Sequence, residues 1–383
     1  MSHTALVLGA GLGGMVAAQT LRRLLPKEDR VVLVEREARH IFPPSLLWLM
    51  VGERSAEAIS RPCDHAVRSG IELVRGEVSA IDPTAKSVRV GERTLQGDAL
   101  VIALGAEYAP QTVPGLVEAG LCIYTLEGAS GIRDTLARFE RGRVAVLTAA
   151  PLYKCPAAPY EAALLVEDFL RARGRRDAIT MNFYAAEPGP MMVAGPAVSA
   201  GVRAMIETRD IRYHPEHQVK SVDAAARRIE FTNGTAADFD LLLYVPPHRA
   251  PAAVREAGLT NESGWIPVDR HTLETKVPGV YALGDVTVIP LKMGRPLPKA
   301  GVFAHAQAEV VAHNIAAAWT GKGEARRFEG EGLCFIETGG GRAGMGSGNF
   351  YAEPLPEVRL REPSLLWHGA KVLYEKYWLW SRF

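Results

Sequence analysis

TALVLGAGLGGMV, residues 4–16, is the stretch that decides the fold of this chain. Its first six residues are almost continuously apolar, which predicts a buried strand of a parallel sheet. An apolar helix is predicted to follow over residues 15–25. Gly9 permits a tight turn, Gly11 lets backbone approach a pyrophosphate, and Gly14 lets the helix pack on the strand. The stretch therefore predicts a dinucleotide site with the phosphates at the positive N-terminus of the helix.

A second strand, predicted over residues 30–34, ends at Glu35. A carboxylate at this point of a strand–helix–strand unit accepts hydrogen bonds from a ribose 2′-OH. The acid therefore favours an unphosphorylated ribose, as in FAD or NAD, over NADP.

Composition and charge exclude several other functions. The chain has 383 residues and a formal net charge of +1, so no global field attracts nucleic acid. Its four cysteines are too few and too scattered for a disulfide framework or a zinc site, and no metal is predicted. The first residues lack the basic start of a signal peptide. No run of eighteen apolar residues occurs, so no membrane-spanning helix is predicted. Attachment to a membrane surface stays open.

Two later segments point to FAD. Residues 101–106, VIALGA, resemble the "ATG" segment of flavoproteins with two dinucleotide-binding domains, and residues 280–285, VYALGD, resemble their second flavin motif. In that family the aspartate, here Asp285, holds the ribityl chain; a plain turn at the end of a strand is the alternative. The wide separation of the motifs predicts an α/β fold with two Rossmann-like domains, the FAD domain discontinuous, and a C-terminal amphipathic helical tail. The predicted parts are 1–113 and 251–330 for the FAD domain, 114–250 for the inserted domain, and 331–383 for the C-terminal region.

The inserted domain lacks the glycines that a second nucleotide needs. After its first predicted strand it reads TAAPLYKCP, residues 148–156, with two prolines and no glycine. Backbone there cannot close on a pyrophosphate. NAD(P)H is therefore not expected to be the reductant.

Cys155 occupies that turn, just before a helix that is predicted to start near Pro159. A helix N-terminus and the adjacent Lys154 predict a lowered pKa and a reactive thiolate. A buried structural cysteine is the alternative.

The segment around Cys155 resembles the central cysteine motif of sulfide:quinone oxidoreductases and of the flavoprotein subunit of flavocytochrome c sulfide dehydrogenases. Cys334 resembles their second redox cysteine. The resemblance extends over nearly the whole chain, through these segments: KCPAAPYE 154–161, GLCFI 332–336, FPPS 42–45, DVTVIP 285–290, LPKAG 297–301, AHNI 312–315 and YEKYWLW 374–380.

The resemblance implies that Cys155 and Cys334 form a disulfide or sulfur-bridged pair that sulfide attacks, after which two electrons enter the flavin. It implies a proton acceptor in Glu161, whose alternative role is to complement the helix dipole. It implies that Lys299 and the following helix start at Gly301 stabilise the negative charge of reduced flavin; a solvated lysine is the alternative. The residues predicted to contact FAD are Gly9, Gly11, Gly13, Gly14, Glu35, Pro44, Ser45, Val78, Gly105, Gly284, Asp285, Lys299 and Gly301.

Two positions depart from the family pattern. Tyr124 stands near the family's third cysteine, and Cys122 lies two residues earlier on the same face of a strand. Met191 or Met192 stands where the family has a histidine. The handling of protons around sulfide, and the length of the sulfur chain, are therefore left open.

The tail, residues 364–383, predicts an amphipathic aromatic helix. Leu366, Ala370, Leu373, Tyr377 and Trp380 recur at helical spacing, interleaved with basic residues. Such a helix is typical of an interfacial anchor, and packing on the protein's own core or on a dimer partner is the alternative. The basic residues are Lys371, Lys376 and Arg382.

A membrane anchor favours quinone as the electron acceptor, with Phe335 and Ile336 beside its apolar passage. The predicted function is FAD-dependent oxidation of sulfide and reduction of quinone at the surface of the cytoplasmic membrane, with a homo-oligomer left open. A soluble sulfide dehydrogenase that reduces a cytochrome and a type II NADH:quinone reductase are the alternatives.

Overall fold

A computed structural model describes residues 2–64 and 70–383. The strands are β1 (Thr4–Leu8), β2 (Arg30–Glu35), β3 (Arg39–Ile41), β4 (Ser60–Pro62), β5 (Glu72–Arg75), β6 (Val78–Asp82), β7 (Ser87–Val90), β8 (Arg93–Gln96), β9 (Ala99–Ile102), β10 (Glu107–Tyr108), β11 (Leu121–Cys122), β12 (Gly142–Thr148), β13 (Ile179–Ala185), β14 (Ile211–His214), β15 (Val219–Asp223), β16 (Arg228–Phe231), β17 (Ala236–Asp238), β18 (Leu241–Val245), β19 (His248–Arg249), β20 (Ile266–Pro267), β21 (Val280–Ala282), β22 (Thr287–Val288), β23 (Glu331–Gly339), β24 (Arg342–Asn349) and β25 (Glu357–Ser364). The helices are α1 (Leu12–Leu24), α2 (Leu46–Met50), α3 (Leu116–Ala119), α4 (Leu126–Leu136), α5 (Ala158–Ala172), α6 (Pro196–Glu207), α7 (Ala252–Glu256), α8 (Gly301–Thr320) and α9 (Leu365–Ser381).

The first sheet is parallel and runs β21-β9-β1-β2-β5. It takes β21 from far along the chain, so the predicted discontinuity of this unit is confirmed. Its central strand β1 is buried on both faces, as the apolar run of residues 5–8 predicts. Helices α1 and α8 pack side by side against this sheet, and the core around them includes Met15, Leu21 and Val311.

The second sheet is also parallel and runs β11-β18-β12-β13-β14. Its strands form the centre of the largest apolar core, which helix α5 joins through Leu164 and Val166. Two parallel sheets with crossover helices make the predicted α/β architecture, and it is confirmed.

The C-terminal region adds an antiparallel sheet and a helix. β23 pairs with β24, and β24 pairs with β25. Helix α9 follows at once, and the hydroxyl of Ser364 accepts a hydrogen bond from the amide of Trp367 to cap its start. None of the described helices is long and apolar enough to cross a bilayer.

Candidate active site

Three motifs meet at one edge of the first sheet. β1, β9 and β21 are parallel neighbours, with Leu8 opposite Ile102 and Ile102 opposite Ala282. The segments that follow these residues are the glycine loop, the turn at Gly105 and the Gly284-Asp285 turn. Because the carboxyl ends of parallel strands lie at one edge, the register brings the predicted flavin motifs together, where such folds bind dinucleotides.

The glycines of the first loop differ in what surrounds them. Gly9 has φ +94°, and a Cβ there would lie 2.6 Å from the carbonyl oxygen of Ala103. A Cβ on Gly14 would lie 1.7 Å from the carbonyl oxygen of Gly9, and one on Gly13 would lie 2.4 Å from Leu283. A Cβ on Gly11 would meet nothing within 4 Å. Three glycines therefore serve close packing, whereas Gly11 faces open space where a pyrophosphate can approach.

Glu35 lies beside the same loop. One of its carboxylate oxygens accepts a 2.6 Å hydrogen bond from the amide of Ala10, and the other accepts one of 2.8 Å from the amide of Glu37. Each carboxylate oxygen has a second lone pair, so the group can still accept a ribose hydroxyl.

The start of helix α8 forms the opposite side of this predicted dinucleotide site, which we call the cradle. A Cβ on Gly301 would lie 2.3 Å from Leu12, so the N-termini of α8 and α1 pack together and direct two positive helix ends at one region. The Oδ1 atom of Asp285 is buried there without a hydrogen-bond partner. An orphaned buried carboxylate oxygen is expensive unless a ligand hydroxyl donates to it, so the residues present fit FAD.

Lys299 is buried at this edge. Its Nζ donates to the carbonyl oxygens of Asp285, at 2.7 Å, and Thr287, at 2.8 Å, and lies 3.4 Å from the centre of the Trp265 ring. Burial lowers the pKa of its ammonium group to about 7. A negative charge beside Lys299 would raise this pKa again and keep the ammonium group protonated near neutrality.

Cys155 and Cys334 both line an apolar cavity that offers about 70 Å³ to water-sized molecules. Both are free thiols, and each perturbs the pKa of the other. The cavity lining carries no charged side chain and also includes Met191, Ile336 and Phe350. Cys155 adopts φ +48°, and its amide donates a 2.6 Å hydrogen bond to the carbonyl oxygen of Lys299. The strained cysteine is thus tied to the segment that carries the buried lysine.

The two thiols differ in acidity, and not in the predicted way. The pKa of Cys155 is raised well above its ordinary value by its interaction with the Cys334 side chain and by burial. The pKa of Cys334 is lowered, chiefly by its interaction with the Cys155 side chain. The expected lowering at Cys155 is therefore wrong. The Nζ of the adjacent Lys154 lies 4.9 Å from the centre of the Tyr108 ring.

Glu161 lies on α5 beside the thiol pair and is buried. Its carboxylate forms an ion pair with Lys371 of helix α9, and it also accepts a hydrogen bond from the backbone of Glu337. Burial raises the pKa of Glu161 to about 7, against the opposing effect of Lys371. A carboxyl group that titrates near neutrality next to two thiols is suited to accept a proton from them.

The place of a second nucleotide is filled from within. Glu187, just after β13, stands where the ribose-binding acid of a second Rossmann unit would be. It accepts hydrogen bonds from the hydroxyls of Tyr153, Tyr160 (2.8 Å) and Thr148 (2.8 Å). The carboxylate of Glu187 is thus hydrogen-bonded to the protein's own hydroxyl groups, where a ribose hydroxyl would otherwise bind.

The remaining residues predicted to bind FAD or quinone lie in several different elements. The hydroxyl of Ser45 donates to Glu375 of α9 at 2.6 Å, beside the half-buried Pro44. Val78 begins β6 and pairs with Val90 in a separate three-stranded sheet. Ile336 lines the thiol cavity and Phe335 does not.

The departures from the family pattern also lie near the pair. The hydroxyl of Tyr124 donates to the carbonyl oxygen of Lys154 at 2.6 Å, so this tyrosine supports the strained turn. Cys122 is buried, and burial raises the pKa of its thiol. Met191 lines the cavity. In residues 2–64 and 70–383 no group of acidic, histidine or cysteine side chains is arranged to hold a metal ion.

Helix α9 has two unlike faces. Leu366, Leu373, Tyr377 and Trp380 of the predicted stripe are exposed, with Trp380 at 80%, whereas Ala370 is half-buried. Lys371, which the sequence places among the basic residues of an anchor, is buried instead. The sequence pattern alone could not show this burial, because it depends on Glu161, a charged partner that is distant in the sequence and packs against the inner face of α9.

The inner face of α9 spans several elements. Glu375 forms an ion pair with Arg54 at 3.0 Å, and the indole of Trp378 donates to His40 at 3.2 Å. His40 in turn contacts the carbonyl oxygen of Ala10 in the glycine loop at 3.2 Å. The contacts of Glu375 and Trp378 were missed in the sequence because their partners lie 321 and 338 residues away.

Comparisons with known proteins agree with this geometry. The model of the pyridine nucleotide-disulphide oxidoreductase family matches residues 3–150 and 175–310. A sulfide-quinone reductase of Aquifex aeolicus is 27% identical over 100% of this chain and 91% of the relative. A mitochondrial sulfide:quinone oxidoreductase of Mus musculus is 24% identical over 92% of this chain and 79% of the relative.

A solved structure also matches over the whole length of this chain. The sulfide:quinone oxidoreductase of Aquifex aeolicus superposes with a TM-score of 0.89 at 25% identity, over 100% of this chain and 91% of that one. An alternative NAD(P)H-ubiquinone oxidoreductase of Arabidopsis thaliana is 28% identical over 82% of this chain and 66% of the relative. The resemblance read from the cysteine segments is therefore confirmed, and the chain is an FAD-dependent oxidoreductase of the pyridine nucleotide-disulphide oxidoreductase family.

Proposed function

We propose that the protein oxidises sulfide through the Cys155/Cys334 pair and passes the electrons through FAD to quinone at a membrane surface. The observation that carries this proposal is the pair itself. Two free thiols line one apolar cavity and perturb each other's pKa, and the amide of Cys155 donates a hydrogen bond to the carbonyl oxygen of Lys299 beside the predicted FAD site. Relatives named for sulfide and quinone along the whole chain support it.

The difference in acidity assigns the roles of the two cysteines. In a Cys155–Cys334 disulfide, the thiol of lower pKa is the better leaving group. Sulfide therefore attacks Cys155, which becomes a persulfide, and Cys334 leaves as a thiolate. The proton of the persulfide passes to Glu161, whose pKa near 7 suits it to accept one.

The cofactor is held by the glycine loop, Asp285, Lys299 and the start of α8. FAD bound there would supply the two-electron acceptor that closing the persulfide and the thiolate into a trisulfide bridge requires, with quinone as the final acceptor. Lys299 has a pKa lowered to about 7, and as an ammonium it would stabilise the negative charge that two electrons bring. The apolar cavity keeps water from the sulfur chain.

Quinone is proposed as the acceptor because of the outward face of α9. A stripe of Leu366, Leu373, Tyr377 and Trp380 exposed to water is unfavourable in a soluble protein, whereas its aromatic rings suit a lipid interface. A peripheral position on the membrane follows, where a lipid-soluble acceptor is available. A soluble enzyme that reduces a cytochrome has no use for this stripe.

NADH is the competing electron donor, since an NAD(P)H-ubiquinone oxidoreductase is among the relatives. Two observations oppose it here. The turn at 148–156 has no glycine, and Glu187 is engaged by Tyr153, Tyr160 and Thr148 rather than free for a ribose.

Anaerobic titration of the purified holoprotein with sulfide tests the proposal. Sulfide should bleach the flavin of the wild type, and decylubiquinone should restore its colour. Cys155→Ser and Cys334→Ser should be inert, while Cys63→Ala, which removes a buried thiol outside the cavity, should behave as the wild type. Bleaching by NADH and not by sulfide would overturn the proposal and favour the reductase.

A further inference from the structure

Four ionisable side chains form a buried line from the thiol pair toward the surface. Glu161 lies beside the pair, and Lys371 and His368 extend from the inner face of α9, one turn apart. Glu337 lies between them on β23, three residues beyond Cys334. Such a concentration of charge in an interior is costly unless it has a purpose.

Ion pairs link neighbouring members of this line. The Nζ of Lys371 forms an ion pair with Glu161 and lies 4.0 Å from one carboxylate oxygen of Glu337. The other oxygen of Glu337 lies 2.9 Å from the Nδ1 of His368. The side chain of His368 is 27% exposed, so the line ends in contact with solvent.

The indole ring of Trp48 covers part of this line from bulk water. The Trp48 ring lies 4.5 Å from the Nζ of Lys371 and packs edge-on against His368. The Oε1 atom of Glu337 is buried without a hydrogen-bond partner, which leaves it able to take a proton from Lys371. Glu53 interacts electrostatically with both Glu337 and His368, and also with Arg54 and Asp168.

We propose that Lys371, Glu337 and His368 form a proton path between Glu161 and solvent, and that the C-terminal helix thereby completes the redox site. This proposal rests on the proposed function, because the protons it carries are those released as the persulfide is deprotonated.

The step balances in protons. Glu161 receives one proton from the Cys155 persulfide and passes it to Lys371, which at the same time gives one to Glu337. Lys371 stays an ammonium, Glu337 passes its proton to His368, and His368 releases it to water. No electrons move along this line, and each group returns to its starting state.

The test is stopped-flow measurement of the bleaching of the flavin by sulfide in His368→Gln and Glu337→Gln holoproteins. Glutamine keeps a hydrogen-bonding side chain at each place but cannot carry a proton. We expect the limiting rate at pH 7 to fall about a hundredfold, the lower end of what one proton-transfer group contributes. Imidazole in the buffer should restore much of the rate of His368→Gln, because that residue is open to solvent. His313→Gln, on α8 and outside the line, is the matched control and should keep the wild-type rate.

The outcomes separate two failures. If sulfide does not bleach the wild type, the proposed function fails and the proton path fails with it. If the wild type is bleached and His368→Gln retains its rate within twofold, with no response to imidazole, only the proton path fails. Should Glu337→Gln not fold, His368→Gln still decides, since its position is partly exposed.

Discussion

Gly11 and Gly14 lie three residues apart in one loop, yet alanine should harm them in opposite ways. A Cβ on Gly14 would lie 1.7 Å from the carbonyl oxygen of Gly9, more than 1 Å inside any tolerable contact. Because the obstacle is backbone, the helix and strand must separate. We expect Gly14→Ala to cost about 3 kcal/mol or more in the free energy of unfolding, with or without cofactor.

Gly11→Ala should spare the fold instead. Its Cβ would meet nothing within 4 Å, and its φ of −67° is open to any residue. The loss is confined to a poorer helix cap, about 1 kcal/mol. The methyl group would stand where the pyrophosphate approaches and would break about two hydrogen bonds to charged oxygens, worth about 3 kcal/mol, so the affinity for FAD should fall about a hundredfold.

Thermal unfolding of the apoprotein and calorimetric titration with FAD measure the two effects separately. Gly369→Ala, on the exposed side of α9 with no atom near its Cβ, is the control and should bind FAD as the wild type does. If Gly11→Ala binds FAD with wild-type affinity, the loop does not hold the pyrophosphate and the cradle described above is wrong.

Three further predictions concern the acid, the anchor and the filled nucleotide site. The folded pKa of Glu161, near 7, exceeds its ordinary 4.5, so the native state holds a proton that the unfolded chain has lost between these values. This stabilisation is full below pH 4.5 and is lost as the pH rises to 7, by about 3 kcal/mol, and urea unfolding of Glu161→Gln should lack that part of the pH dependence. Replacing both Leu373 and Trp380 by Gln should abolish binding to anionic vesicles in flotation assays, without slowing bleaching by sulfide; unchanged flotation would contradict the anchor. Tyr153→Phe should lower the free energy of unfolding by about 1–3 kcal/mol, because Glu187 loses a buried donor, and NADH should still fail to bleach the flavin.

Much of the fold and of the cofactor site could be predicted because the signals are local. The glycine loop, the strand before it and Glu35 lie within about one strand–helix–strand unit, and periodicity shows each element. The turn at Asp285 is distant in sequence, yet its motif is short and follows a buried strand. Such features depend on neighbouring residues, so a single sequence contains them.

The environment of the thiol pair could not be predicted in the same way. Whether Cys155 has a raised or lowered pKa depends on Cys334, 179 positions later by their numbers, and on burial, which no local pattern gives. The contact of Lys371 with Glu161 likewise spans 210 residues. A lysine within an apolar helix resembles a membrane-surface residue until the strand and helix opposite it are known.

The structure also limits how helix α9 can meet a membrane. Its inner face holds Lys371 against Glu161 and Glu375 against Arg54, and the carboxylate of Glu375 is fully buried. Separating either pair would leave an unpaired charge in the interior, at a cost of about 3–5 kcal/mol each. A helix that swung out to insert would lose both pairs and the contact of Trp378 with His40. Binding to a membrane should therefore leave α9 seated, so that lipid covers the outer stripe while the inner face keeps its contacts with the thiol pair and the glycine loop.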